Sequence, residues 1–279
     1  MVIKKFLRRL GFWLGMLFFA LFAIFPTIWM LISAFKQNAD LYNAANNPFL
    51  FNLPPTLDHI TFLFTDTYFS VFLWNSAVIG VLVVVVTLLL AVPAAYSLSR
   101  LVGRWGERSG IAVFLVYLIP PTLLFIPLYQ VMSLLRAANT IWALVLVYPT
   151  ITVPFCTWLL LGFFKSMPRE VEEAALIDGY SRWQAFLKVS LPLAWPGIAT
   201  CVVFAFALSL SDYIYAASFV SETASRPLNS GVPTALIRGD IYFWQSLMAA
   251  AAIVTIPLAI GYGLLFDKLI QGFQPEAAS

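Results

Sequence analysis

This sequence predicts an all-α integral membrane protein with six transmembrane helices and both termini in the cytoplasm. Three observations predict it. The 279 residues are 61% apolar, 16% aromatic and only 10% charged, a balance foreign to soluble globular domains. The apolar residues gather in six long runs, each exceeding the ~20 residues that carry a helix across a bilayer, where a barrel would show ~10-residue alternating segments. The basic residues, finally, are shared unequally between the two sets of loops. Residues 1–279 are read as one transmembrane domain.

The N-terminal MVIKKFLRRL is basic, and the first run covers about 11–34. It is longer than a signal-peptide core of ~7–15 residues and lacks a small-x-small cleavage site, so it reads as a retained span. Residues 36–68 read as a loop rich in turn formers: Asn43, Asn46, Asn47, Pro48, Pro54 and Pro55. Within it, LDHITFLF suits a short amphipathic helix on the membrane surface. The second span covers about 71–98, with Thr87 the one polar group in its centre, and a short basic loop follows from Arg100 to Arg108.

The third span, about 111–134, holds Pro120, Pro121 and Pro127, and the fourth, about 141–163, holds Pro149 and Pro154. Prolines at this density break or kink helices. Membranes tolerate them where neighbouring helices or water satisfy the freed carbonyls. Bent helices along a pathway and simple packing irregularity both fit. The fifth span covers about 195–220, a polar loop runs from Ser221 to Asp240, and the sixth span covers about 246–270, with Pro257 and Gly261.

Six spans place both termini on one side. That side carries Lys4, Lys5, Arg8, Arg9, Arg100, Arg104, Arg108, Lys165, Arg169, Arg182, Lys188 and Lys268, twelve in all, against Lys36, Arg136, Arg226 and Arg238 on the other. The positive-inside rule makes the basic side cytoplasmic. The loops at 36–68 and 221–245 then face outward.

The most polar stretch, 165–192, lies between the fourth and fifth spans on the cytoplasmic side and reads as two short helices. Pro168 suits a first helical turn, and Glu170, Glu172 and Glu173 follow where a helix N-terminus favours anions. Gly179 is the expected stop. Ser181 and Gln184 form a capping box for the second helix, which carries Trp183, Phe186, Leu187 and Ser190 on one face. A helix–glycine–helix element between spans is a candidate docking surface; an ordinary connecting loop is the plainer alternative.

No phosphate-binding loop, H-E-x-x-H, C-x-x-C or G-x-S-x-G pattern occurs. Cys156 and Cys201 fall in apolar runs and read as small hydrophobes, with no disulfide or metal site inferred. His59, the single histidine, has no Cys or Glu partner nearby and reads as a loop residue. The chain therefore reads as a non-enzyme that binds no cofactor of its own. Uphill transport would draw on an ion gradient or a partner. Ion-coupled carriers show ionisable groups along their route, and the spans here are nearly bare of them. The clear case is Asp212, in the outer half of the fifth span amid Ser209, Ser211, Tyr213 and Tyr215. An ionised Asp at a helix centre costs ~2.5–3.5 kcal/mol on insertion scales, so it should face protein or water. On a continuous helix Ser209, Asp212 and Tyr213 share one face. Hydroxyls, a carboxylate and aromatic rings suit a polyhydroxylated solute; local capping by Asp212 is the competing reading.

EAALIDGYSRWQAFLKVSLP, residues 173–192, resembles the cytoplasmic signature of permease subunits of binding-protein-dependent ATP-binding-cassette importers. That pattern is E-A-A, three residues, G, nine residues, an aliphatic, one residue, then L-P. Glu173, Ala174, Ala175, Gly179, Leu191 and Pro192 match it, with Val189 in place of the usual isoleucine. NSAVIGVLVVVVTLLLAVPAAYSLSR, IPPTLLFIPLYQVM and SDYIYAASF are similar to the carbohydrate-uptake branch, the shorter permease of the maltose-type pair. The tail QPEAAS departs from members whose glycine-rich tail enters the ATPase dimer interface, so that contact is not carried over.

The resemblance implies a type I importer transmembrane fold in a bacterial inner membrane, carrying a sugar, an oligosaccharide or a polyol such as glycerol or its phosphate. It implies a second permease as heterodimer partner, two cytoplasmic ATPase subunits that hold ATP and Mg, and an extracytoplasmic solute-binding protein. Glu173, Ala174, Ala175, Asp178, Gly179, Leu191 and Pro192 would couple to the ATPase, with Glu173 paired to a basic group there. The outer 221–245 loop, with Arg226 and Arg238, would help dock the binding protein. Ser209, Asp212, Tyr213 and Tyr215 would line the solute path. The alternatives are a self-sufficient secondary carrier or channel, and a membrane enzyme acting on lipid-linked sugars.

Overall fold

A computed structural model describes residues 2–103 and 105–273; Arg104 and the QPEAAS tail, on which the sequence reading touched, lie outside them. The described chain is helical apart from one short hairpin. In order it forms α1 Val2–Phe35, α2 Asn38–Leu41, α3 Asp58–Thr65, α4 Phe69–Arg100, α5 Trp105–Tyr117, α6 Pro121–Leu134, α7 Ile141–Val147, α8 Pro149–Ser166 and α9 Arg169–Ile177. Then come α10 Arg182–Ala185, a π-helical segment Phe186–Ser190, α11 Leu191–Leu193, α12 Trp195–Ser211, α13 Ile214–Phe219, a 3₁₀ turn Thr223–Ser225, α14 Leu228–Leu236, strands β1 Ile237–Arg238 and β2 Ile241–Tyr242, and α15 Trp244–Phe273.

Four stretches among the described residues are long and apolar enough to cross a membrane: Arg9–Phe35, Phe69–Arg100, Ile141–Ser166 and Trp244–Leu264. Two more pass as bent pairs: α5 with α6, bent by 87°, and Arg182–Leu193 with α12, bent by 72°. The first of these bends falls where the prolines of the third span, 111–134, were expected to break or kink it. Pro120 sits at ψ 127, outside the helical region, and Pro121 opens α6 where its missing N–H leaves no bond unmade. The fifth span over 195–220 is also interrupted: α12 stops at Asp212, whose backbone is extended at ψ 117, and α13 restarts at Ile214. The loops hold more structure than their composition predicts. LDHITFLF does form α3, and the 221–240 stretch contains α14 and the β1–β2 hairpin, closed through Gly239.

The chain divides into two compact units, one comprising the residues up to Tyr68 with Val232–Ala259, the other Phe69–Gly231 with the chain from Ile260 onward. In the first, α1 exposes apolar side chains such as Phe12, Phe18 and Phe22 between Leu10 and Ile28, a surface suited to lipid or a protein partner. After α1 the chain folds around a buried carboxylate. Asp40 accepts hydrogen bonds from Asn46 Nδ2 (2.9 Å), Asn52 Nδ2 (2.8 Å) and the Asn52 backbone N–H (3.0 Å), and lies 3.6 Å from the buried Lys36 ammonium. Lys36 Nζ also donates to the Asn47 carbonyl. Burial alone would raise the Asp40 pKa, but the bonds from Asn52, Leu53 and Asn46 outweigh it and hold it at about 2.

In the second unit, α4, α8 and α12 pack around two apolar clusters. Ile79 and Val83 join Leu144, Tyr148, Ala205, Tyr215 and Phe219 in one; Ala91, Val92, Ala95 and Tyr96 join Leu160, Phe164, Phe186 and Cys201 in the other. Between them along α4, the Thr87 and Thr152 hydroxyls meet at 2.6 Å. The Thr152 hydroxyl in turn donates to the Tyr148 carbonyl, so this buried pair is satisfied. Gly80 lets α12 come close, since a Cβ there would fall 2.5 Å from the Phe206 ring.

Candidate coupling surface and the cavity at Asp212

The stretch 165–192 folds largely as its local signals require. Pro168 is the N-cap of α9, and Glu170 and Glu172 occupy the first turn. Gly179 takes φ +89, in the left-handed region. The Tyr180 N–H then reaches back to the Ala175 carbonyl (3.0 Å) and the Gly179 N–H to the Leu176 carbonyl (3.1 Å), the double bond of a Schellman stop. The Ser181–Gln184 capping box forms in both directions, at 2.9 and 3.3 Å. The second helix departs from expectation after one turn. Residues 186–190 widen into a π-helical segment, which shifts the face read for a regular helix. Phe186 and Ser190 are buried, whereas Trp183 is 63% and Leu187 41% exposed.

The residues read as the coupling surface separate by exposure. Glu173, Ala174, Asp178 and Gly179 are open to solvent, Ala175 turns inward, Leu191 is half-buried and Pro192 exposed. Ile177, Tyr180 and Trp183 are exposed as well, so the element presents apolar side chains together with the Glu173 and Asp178 carboxylates.

The sequence reading missed what holds this element to the spans. The inward carboxylate is that of Glu172. It accepts a 2.5 Å hydrogen bond from the Tyr96 hydroxyl and a longer one, 3.4 Å, from Ser190, and its Oε2 lies 3.4 Å from Arg100 Nε. Arg100 Nη2 donates to the Met167 carbonyl at 3.0 Å. Both side chains of the ion pair are nearly buried, at 8% and 13% exposure. The Tyr96 ring packs between Phe164 and Phe186, with centroids 5.8 and 4.5 Å away. One signal was available: Tyr96 and Arg100 stand four residues apart, hence on one face, at the end of an apolar span.

A second feature lies where two helix breaks meet. The Asp212 carboxylate accepts a bond from the Tyr148 hydroxyl (3.2 Å) and caps α13 through the Tyr215 N–H (2.9 Å). Tyr215 is fully buried, lies parallel to Tyr148, and donates its hydroxyl to the Pro121 carbonyl (3.0 Å) at the α5–α6 break. Asn229 Nδ2 donates to the Ser209 carbonyl (3.3 Å) and to that of Asp212. The break thus undoes the helical face assumed for Ser209, Asp212 and Tyr213. Ser209 is buried and bonded to the Phe206 carbonyl, while Tyr213 is 54% exposed. Of the four residues read as a solute path, Asp212 borders a cavity of about 370 Å³ between 117–121, Ile151 and Leu208. Non-helical backbone at membrane depth is tolerated where it is buried in protein or lines a cavity, and here the Asp212 N–H is bonded to the Leu208 carbonyl and the Asp212 carbonyl to Asn229.

Residues 70–274 match the family described as binding-protein-dependent transport system inner membrane component. The sulfoquinovosyl glycerol transport system permease protein SmoH of Agrobacterium fabrum is 34% identical over 250 residues, covering 89% of this chain and 86% of that protein. The trehalose/maltose transport system permease protein MalG of Thermococcus litoralis is 30% identical over 270 residues, covering 96% and 95%. Among solved structures, a chain of a bacterial ABC transporter involved in the import of the acidic polysaccharide alginate superimposes with a TM-score of 0.79 at 22% identity, over 94% of this chain and 97% of that one. The fold is therefore shared with that transporter chain.

Proposed function

This chain belongs to the family of inner membrane components of binding-protein-dependent transport systems, and from that premise we propose that it is one permease subunit of an ATP-driven importer of a sugar, oligosaccharide or polyol. Residues 1–279 act as a single permease domain of six spans, counting each bent pair as one, with both termini in the cytoplasm of a bacterium. A second permease, two ATPase subunits carrying ATP and Mg, and an extracytoplasmic binding protein complete the assembly. The solute class is supported by relatives whose names specify sulfoquinovosyl glycerol, trehalose/maltose and diacetylchitobiose.

The observation that carries this reading is the exposed surface of α9, offering Glu173, Ala174 and Asp178 between two locally capped turns and tied by Glu172 to the end of α4. ATP-driven closure of the ATPase pair moves α9, and the Glu172–Arg100–Tyr96 clamp passes that motion to α4. Asp212, with the cavity beside it, lies on the solute route, and Ser209, Tyr213 and Tyr215 shape its surroundings. The test is uptake in liposomes. Transport by the whole assembly that needs ATP, and that Glu173→Lys or Gly179→Pro uncouples from ATP hydrolysis, is the expected result. Normal uptake by both variants with normal ATPase copurification, or uptake by this chain without any ATPase, refutes it.

A further inference from the structure

Strand β2, the residues just after it and the segment 37–62 of the first unit border a hollow distinct from the solute route at Asp212. Its volume is about 630 Å³, within the ~300–1,000 Å³ of small-molecule sites. Gln37, Asn38, Asp58, His59 and Gln245 contribute polar groups to its wall; Tyr42, Tyr242, Phe62 and Phe243 contribute rings. The rings are held in place. Phe62 stacks on Phe243 with centroids 5.4 Å apart and planes at 18°, and Tyr242 stacks on Trp244 at 5.2 Å and 8°.

Gln245 is the telling member. It is 2% exposed, yet its Nε2 has no hydrogen-bond partner among the described residues. A buried amide donor left unpaired costs ~1–3 kcal/mol, a cost that an acceptor reaching it from the hollow would remove. His59 Nε2 lies 2.9 Å from the Lys36 carbonyl. A carbonyl can only accept, so Nε2 carries a proton and donates it. No Lys or Arg is among the described lining residues. Arg238 lies over the outer ring of the stack, 5.6 Å from the Phe243 centroid, and its Nε is bonded to the Ala235 carbonyl.

We propose that this hollow is a binding subsite for a neutral, polyhydroxylated ligand, with Gln245 Nε2 donating to a ligand hydroxyl and the Phe62–Phe243 and Tyr242 rings flanking its C–H faces. Mixed donors and acceptors beside flat apolar faces match a molecule whose hydroxyls alternate with C–H surfaces, and the lack of a lining cation argues against an anion. The assignment rests on the sugar and polyol reading above and adds a second place on this chain where such a solute binds.

Saturation-transfer NMR on the full-length chain in lipid nanodiscs, with trehalose, raffinose, glycerol and glucuronate as probes, tests it. At least one neutral probe should give transfer that falls about fivefold in Gln245→Leu, the size of one lost hydrogen bond. It should fall similarly in Tyr42→Ala, a substitution at a side chain 60% exposed and so outside the core. No transfer from any neutral probe, equal transfer in both variants, or a stronger signal from glucuronate overturns the proposal. Uptake by the assembled transporter is scored separately. An importer whose variants keep full transfer sinks the subsite and leaves the import reading standing; transfer lost at Gln245 in a protein that moves no sugar does the reverse.

Discussion

Two polar interruptions of the apolar sequence, the stretch 165–192 and the segment around Asp212, fold by different means. The turns and caps of the first are closed by partners within five residues: Ala175 with Tyr180, Leu176 with Gly179, Ser181 with Gln184. The second is closed by groups far away in sequence: Tyr148, Asn229, and through Tyr215 the Pro121 carbonyl. Locally closed polar structure forms wherever the chain places it, so it can stand exposed and meet another protein. Polar structure closed at long range forms only once the helices have assembled, so it suits a membrane interior, where each backbone group must find a partner inside the protein.

Substitutions sharpen this contrast, and the clamp joining the coupling element to α4 should give the largest effect. Glu172→Ala strands the nearly buried Arg100 charge, so thermal unfolding in detergent should show a loss of about 3 kcal/mol. The same change should slow uptake while leaving α9 helical. Asp212→Ala comes next. It removes the cap of α13 and the acceptor of the Tyr148 hydroxyl, for about 2 kcal/mol by the same assay. Asp212→Asn should recover most of this, because it keeps an acceptor oxygen; recovery of uptake by Asn would separate the capping role from any need for charge.

Gly179→Ala should cost about 1 kcal/mol. A Cβ there meets nothing within 4 Å, so the penalty is backbone strain at φ +89 alone, and Gly179→Asn should cost less. Ser181→Ala removes one half of an exposed capping box, for about 0.5–1 kcal/mol. If Ser181→Ala destabilised the protein more than Glu172→Ala, the proposed division between local and long-range closure would fail. The smallest effect at neutral pH belongs to Asp40. Its folded pKa of about 2 lies below the ordinary 3.8, so its contribution is fully present above 3.8 and is lost as pH falls toward 2. The protection factors of the Asn52 and Leu53 amides should fall over that acid window and stay flat from pH 5 to 8.

Much of this was legible in the residues. Apolar run length announced the spans, proline density announced bent helices, and Gly179 and Ser181 announced the stops and starts of the coupling element. The fifth span was misread because its composition is apolar through residue 220 and no proline or glycine marks the break at Asp212. The π segment at 186–190 was hidden for a similar reason. FLKVS is compatible with an ordinary helix, and the widening goes with Phe186 and Ser190 packing inward.

What the sequence determines by itself is the membrane class, read from composition, and whatever is settled within a helical turn or two, such as the caps that shape residues 165–192. What the tertiary structure decided is which of three neighbouring glutamates turns inward and where the fifth span breaks. Glu172, rather than Glu170 or Glu173, faces Tyr96 and Arg100, and its bond to Tyr96 joins residues 76 apart. The Asp212 carboxylate finds Tyr148 across 64 residues. The physical reason is the same in both places. A buried carboxylate needs donors, composition shows only that donors exist, and helix packing alone brings a particular donor within about 3 Å.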